Sequence, residues 1–312
     1  MNDNPNWERQ LLEKLAMAAL LEQRRTRQWK IFFRLLWLAI LAFMVIGLFL
    51  RNDDRAGDAL TGSGHTAVIS PEGVIDSSNN TAEKLIAGLK DAYDDKGTRG
   101  IIIEANSPGG SPVLSGVAYD EIRRQKKLHP TIPLYVVVDE VCASGCYYIA
   151  AAADKIYVDK ASIVGSIGVL SDGFGFTGAM EKLGIERRLK TAGENKAMGD
   201  PFSPLNSKHE AIRQQLLDDI HRQFIKAVKD GRGSRLKTTA DTFSGMVWLG
   251  EKSIPLGLAD GYGTVQSVAR DVIKAEKTMD YTQQDDFASR VARRMGVEFA
   301  GGVKSLFNTR MF

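Results

Sequence analysis

The sequence predicts an α/β fold built on a mostly parallel sheet, preceded by one N-terminal membrane-spanning helix. Three observations carry this prediction. The runs Gly100–Ala105 and Leu134–Asp139 are apolar and β-branched without alternation, the pattern of strands covered on both faces. Helical stretches separate such runs, so strand and helix alternate along the chain. Finally, residues 35–50 (LLWLAILAFMVIGLFL) contain no charge at all.

The apolar run extends back through Ile31, Phe32 and Phe33, with Arg34 snorkelling, to give a span of 31–50. At about 1.5 Å per residue, twenty residues reach roughly 30 Å, the thickness of a bilayer core. Five cations, Arg24, Arg25, Arg27, Lys30 and Arg34, crowd its N-terminal side, whereas Arg51 and Arg55 beyond it are offset by Asp53 and Asp54. The positive-inside rule then keeps residues 1–30 in the cytoplasm, as a basic and amphipathic surface segment, and sends the rest outward. In a two-membrane bacterium that means an inner-membrane, single-pass protein with a periplasmic domain. A cleaved signal peptide would rarely carry so long a basic region.

Residues 51–64 read as a polar linker, 65–276 as the folded domain and 277–312 as a tail. Within the domain the predicted order is a strand at His65–Ile69, a helix at Thr81–Asp94, the strand Gly100–Ala105 and a helix at Val113–Lys127. The strand Leu134–Asp139 follows, then a turn opening a helix, and a strand at Lys155–Val158. A helix near Ala179–Leu183, a strand near Glu186–Lys190, a long helix Ser207–Lys229 and a helix Val265–Glu276 complete it.

With 41 basic and 38 acidic residues the net charge is +3, too balanced for a nucleic-acid binder. The only cysteines, Cys142 and Cys146, cannot staple distant parts of the fold and have no companion ligands for a metal. They read as small buried hydrophobes. No metal or cofactor is expected.

Chemistry concentrates at two glycine-rich turns after strands. Gly109 and Gly110 close the loop NSPGGS, and Ser144 sits between Ala143 and Gly145 at a helix start. Both turns lie where ligands of parallel sheets bind, and backbone N–H groups free of side chains suit a developing oxyanion. Ser144 by itself reads more readily as a helix cap. A serine nucleophile also needs a base. The four histidines, His65, His129, His209 and His221, read as surface residues, although His209 or His221 could in principle reach the site. Lys196, in the loop TAGENKAMGDP, is the other option, and a lysine serves only where its surroundings leave a neutral amine.

These residues together resemble the signal peptide peptidase A family with its SohB-type relatives, serine peptidases with a ClpP/crotonase-like core. The resemblance covers roughly residues 65–275 and rests on NSPGG at 106–110, VCASGCYYIA at 141–150, GSIGV at 165–169, the NKAMGDPFSP loop and the closing LGLADGYG. It implies Ser144 as nucleophile, Lys196 as general base, Ser166 orienting the lysine, and Gly110 and Gly145 supplying oxyanion N–H groups. It further implies peptide substrates such as signal-peptide remnants, and a homo-oligomer in which Lys196 serves Ser144 of an adjacent chain. Two rivals remain at this stage: a crotonase-like acyl-CoA enzyme, and a catalytically silent scaffold that binds membrane proteins.

Overall fold

The computed structural model describes residue 17 and residues 23–43 and 64–283, and the chain divides into two units, 1–63 and 64–312. In the first, residues 23–43 form a helix, α1, exposed along its whole length. Among the described residues no helix is long and apolar enough to cross a membrane. Of the predicted span, residues 44–50 lie outside the described residues, as do most of segment 1–30, linker residues 51–63 and tail residues 284–312.

The second unit alternates as its sequence requires. Strand β1 (His65–Ile69) leads to α2 (Thr81–Asp94), β2 (Thr98–Ser107), α3 (Pro112–Leu128), β3 (Leu134–Ala143) and the short α4 (Gly145–Ala150). Strands β4 (Lys155–Val158) and β5 (Ile163–Gly165) follow, then α5 (Thr177–Lys182) and the long α6 (Ser207–Arg232). The chain closes with β6 (Val247–Leu249), α7 (Gly250–Ser253), β7 (Gly261–Tyr262), α8 (Val265–Ser267) and β8 (Thr278–Asp280). The eight strands make one sheet in the order β6-β5-β3-β2-β1-β8, with β4 beside β3 and β7 beside β4. Every pairing is parallel except β5 with β6. The fold is mixed α/β on a mostly parallel sheet.

The apolar run Ile101–Ile103 of β2 is explained by cover on both faces. Ile101, Ile103 and Ala105 join the larger core with Leu85, Leu89 and Ile122 of the helices, while Ile102 faces Val137, Tyr157, Val268 and Ala269. The middle strand β3 is where the site is prepared. Its first half, Tyr135–Val137, pairs with β4, but its second half, Val141–Ala143, pairs with β5. The sheet therefore splits along β3, whose C-terminal end runs on between β5 and the end of β2, where Cys142 pairs with Ser107.

Three local expectations are corrected. Residues 186–190 form no strand: they lie exposed with no neighbouring strand to complete their hydrogen bonds. The helix predicted to run to Glu276 stops earlier, α8 passing into a π-helical stretch Val268–Ile273 that ends at Lys274 with φ +65°. The following residues form β8 and add to the edge of β1, a short strand without a periodic pattern of its own. His65 is buried, not a surface residue: its ring stacks on Tyr281 and its Nε2 lies 3.1 Å from the Tyr281 hydroxyl.

A buried ion pair ties the end of α6 to the sheet. Arg232, with no exposed side-chain surface, holds Asp260 at 2.8 Å, and Arg235 reaches the same carboxylate at 3.2 Å. Asp260 also accepts from the N–H of Ile156 at 2.7 Å. Burial would push its carboxyl up, but the hydrogen bond and charge of Arg232, with Ile156 and Arg235, outweigh that and hold it below the usual carboxylate range. A depressed folded-state pKa stabilises above the unfolded value of about 4 and is lost as pH falls through the lower folded value. Asp260→Asn should therefore lower stability at neutral pH by about 3–5 kcal/mol by stranding Arg232. The gap between variant and wild type should shrink below about pH 4 in thermal melts; a gap independent of pH would show that the charge is not what matters.

Candidate active site

Beyond Ala143 the chain must turn from strand to helix within one residue, and Ser144 takes that turn. It sits at φ +53°, ψ −123°, a conformation that glycine adopts readily and serine does not. Such a residue costs on the order of 1–3 kcal/mol and persists only where its surroundings over-determine it. They do here. The Ser144 N–H donates to Gly165 O at 2.9 Å, extending the β3–β5 pairing, and Ser144 O accepts from Tyr148 N at 3.0 Å, the first turn of α4. Tyr147, wholly buried, anchors α4 by donating its hydroxyl to Leu258 O at 2.7 Å, and burial pushes that phenol well above its ordinary range.

The expected helix cap is not what forms. Ser144 occupies the cap position of α4, but its hydroxyl makes no capping hydrogen bond, and it has no hydrogen-bond partner among the described residues. Cap preference identified the place and not the use.

The cysteines differ from expectation as well. Cys142 and Cys146 form a disulfide, with their Cα atoms 5.1 Å apart. The sharp reversal at Ser144 is the cause, since it folds the end of β3 back over the start of α4. The bond closes a five-residue ring around Ser144, worth about 2 kcal/mol in the loop-closure picture.

Opposite Ser144 lies the loop between β2 and α3. Ser111 caps α3, accepting from Leu114 N, and Pro112 opens the helix. Gly109, at φ +103°, is pressed on the nucleophile turn: a Cβ there would lie 2.7 Å from Ala143 O, Gly145 N and Ser144 Cβ. Gly110 is pinned by its bridge to Ile75, which uses Ile75 N to Gly109 O and Ser111 N to Ile75 O. That bridge leaves the Gly110 N–H unspent. The Gly145 N–H is the first of α4 and has no acceptor within the helix. The two N–H groups are close, because a Cβ on Gly145 would stand 3.1 Å from Gly110 N. This is a pair of backbone donors beside a serine hydroxyl, suited to an oxygen that gains negative charge.

Ser144, Gly109, Gly110, Gly145 and Ser166 all line one groove of about 940 Å³. Its walls are mainly apolar, with Val74, Tyr148, Leu216, Ile220 and Phe224 among them, and the Tyr148 and Phe224 rings stack 4.9 Å apart. Ser166 is held at φ +51° and donates its N–H to Met246 O at 2.7 Å, so the residue just before β6 fixes it beside the groove.

Lys196 is not in this groove. It is exposed, on a turn held to the start of α6 through Glu194, which meets Lys208 at 2.8 Å and His209 through its carbonyl at 3.2 Å. Ser144 meets α6 at its other end, through Tyr148 and Phe224. Fifteen residues separate His209 from Phe224, on the order of 20 Å along the axis. Within one chain the structure does not bring Lys196 to Ser144. Neither alternative histidine lines the groove: His209 faces Glu194 O, and His221 Nε2 lies 2.9 Å from Ile167 O. A carbonyl can only accept, so those ring nitrogens donate and are not free to take a proton from serine.

Residues 126–280 match the sequence model of Peptidase family S49, a stretch that includes Ser144, Ser166 and Lys196 and begins after Gly110. Among known proteins, the chain is 43% identical over 182 residues to the Na(+)/H(+) antiporter NhaA of Brucella abortus, a match covering 58% of this chain and 25% of that protein. It is 30% identical over 200 residues to the putative signal peptide peptidase SppA of Enterococcus faecium, covering 64% of this chain and 58% of that one. A solved structure of the 1510-N membrane-bound stomatin-specific protease with a substrate peptide superposes with a TM-score of 0.49 at 16% identity, over 75% of this chain and 98% of that chain. The chain thus spans less than two thirds of the length of these two curated relatives. Residues 126–280, which carry the strained Ser144, Ser166 and Lys196, thus match Peptidase family S49, and the chain fits the SppA-type members of that family.

Proposed function

We propose that this chain is a membrane-anchored serine endopeptidase in which Ser144 attacks a peptide carbonyl and Lys196 of a neighbouring copy is the general base. The observation that carries the proposal is the strained Ser144, its hydroxyl without a hydrogen-bond partner among the described residues, on the same groove as the Gly110 and Gly145 N–H groups. As Ser144 Oγ bonds to the carbonyl carbon, its proton passes to the Lys196 amine and the carbonyl oxygen becomes an oxyanion held by those N–H groups. The resulting ammonium protonates the leaving amine as the C–N bond breaks. Water, deprotonated in turn by the lysine, then releases the acyl group from Ser144. Ser166, on the same groove wall, orients the incoming amine.

Sharing between copies is supported by the arm that carries Lys196. From Leu170 to Leu205 little is buried, α5 has no buried residue, and Leu170, Phe174, Leu183 and Leu205 are all more than 70% exposed. An arm that apolar is expected to pack on a partner, here a second copy of the chain. The groove's apolar walls suit extended apolar peptides, and signal-peptide remnants are the proposed substrates. Anchoring through residues 31–50 is supported by α1, whose Phe33, Leu35, Leu38, Leu41 and Phe43 are exposed in different directions around the helix, as for a segment surrounded by lipid. The disulfide suits the oxidising side of an inner membrane, in keeping with a cytoplasmic N-terminus and a periplasmic domain.

Mixing tests the shared dyad. Ser144→Ala and Lys196→Ala chains should each be inactive, yet equal co-assembly should restore about a quarter of wild-type hydrolysis of a signal-peptide substrate, the fraction of interfaces carrying both intact groups. No recovery in proven mixed assemblies would remove Lys196 of the neighbour from the mechanism.

A further inference from the structure

Arg213 is the only charged residue among the described residues lining the groove. We propose that it reads a carboxylate on the bound peptide, about four or five residues from the scissile bond. The proposal rests on the peptidase reading above and adds a specificity determinant to it.

Arg213, Leu216, Leu217, Ile220 and Phe224 recur at helical spacing and present one face of α6 to the groove. Phe224 marks the nucleophile end, through its stack on Tyr148. Arg213 marks the far end. The opposite wall is the segment 166–171, which leaves Ser166 beside the nucleophile turn and runs along α6. His221 meets Ile167 O at 2.9 Å, and Arg213 Nη2 donates to Ser171 Oγ at 3.2 Å. Between those contacts lie eight residues of helix, about 12 Å, and four residues of chain, about 13 Å if extended. The two lengths match, so beyond the turn in which Gly168 N donates to Ser166 O the segment can run alongside the helix to Ser171. The N–H groups of Val169, Leu170 and Ser171 donate to no other described residue. This segment is thus an open edge on which an extended peptide can lie as an added strand. Residue for residue, such a peptide places its fourth or fifth position from Ser144 beside Ser171 and Arg213.

The guanidinium is prepared for an anion. Nη1 meets Glu210 at 3.2 Å and Nη2 meets Ser171, using two of five N–H donors, and the side chain is 30% exposed. Glu210 is 47% exposed, so that pair holds Arg213 in place at little gain and yields readily to a second carboxylate. Either the C-terminal carboxylate of a short peptide or an Asp or Glu side chain supplies the chemistry.

The test uses full-length protein and apolar synthetic peptides that carry Glu or Gln at single positions on either side of the scissile bond. A second set ends at the favoured position as free acid or amide. Binding is measured by fluorescence anisotropy on Ser144→Ala protein, and cleavage on wild type. The expected result is about fivefold tighter binding of the acidic peptide, seen in Kd and KM rather than kcat, at one position about four or five residues out. Arg213→Gln should bring the ratio to one, Arg213→Lys should keep part of it, and Glu210→Gln should raise it. The Glu and free-acid sets tell the two carboxylate sources apart. A wild-type ratio of one at every position, or a ratio that survives Arg213→Gln, overturns the proposal. Position-dependent binding preference with no cleavage by wild type overturns the peptidase reading and leaves the carboxylate site standing.

Discussion

Replacing Ser144 with glycine is expected to abolish peptide hydrolysis while making the folded domain more stable. The backbone at 144 is at φ +53°, ψ −123°, where a β-carbon is strained and glycine is not. Removing that strain should raise the unfolding free energy by about 1–2 kcal/mol. Ser144→Ala keeps the β-carbon and should leave stability near that of wild type. Both variants lack the nucleophile, and hydrolysis should fall by about 10⁴-fold or more, with loss of labelling by an acylating serine probe. Thermal melts of the three proteins, set beside turnover of a signal-peptide substrate, check both halves. The pairing matters because a serine kept for structure would show the opposite sign. If glycine destabilises, the strain argument fails. If Ser144→Ala still cleaves, so does the nucleophile assignment, and an acyl-CoA enzyme or a silent scaffold becomes the better reading.

Gly110→Ala should produce the second large loss. A Cβ at 110 would stand 2.2 Å from Ile75 O and 2.8 Å from Ile75 C and N, which are backbone atoms and cannot swing aside. The loop must shift, breaking the bridge to Ile75 and carrying the Gly110 N–H away from Gly145. Loss of one oxyanion donor typically costs about 10²–10³-fold in kcat. Substrate affinity should change less, since the apolar walls on α6 are untouched, so the effect belongs in kcat. An unchanged kcat would show that the reacting oxygen does not sit between these two turns.

Much of the framework was legible in the residues. The spans of β1, α2 and β4 agree with those predicted, because each is bounded by a clear change of pattern. Strands β2 and β3 run longer than predicted: Thr98, Arg99, Asn106 and Ser107 of β2, and Glu140 of β3, are polar residues beyond the predicted bounds that the ladder absorbs. The short strands β5, β6 and β8 escaped notice. Three residues carry no period, and such a strand exists only because an edge is waiting for it. Of the site, the two glycine turns could be read from their place after strands, and Ser144 from its small neighbours and the family resemblance. Arg213 could not, since an arginine on a charged helix face gives no sign that the face lines a groove.

By itself the sequence determined the alternation of strand and helix, the two-faced burial of the central strands and the position of the candidate nucleophile, all of which follow from local composition and period. Only the tertiary structure decided that β3 splits between two partners, that Ser144 is strained and its hydroxyl has no hydrogen-bond partner among the described residues, that Cys142 and Cys146 are joined, and that Lys196 lies at the wrong end of α6 for its own serine. Those facts depend on where distant segments meet, on Gly165 O for the turn and Glu194 for the arm, and pairings at such separation leave no periodic trace along the chain.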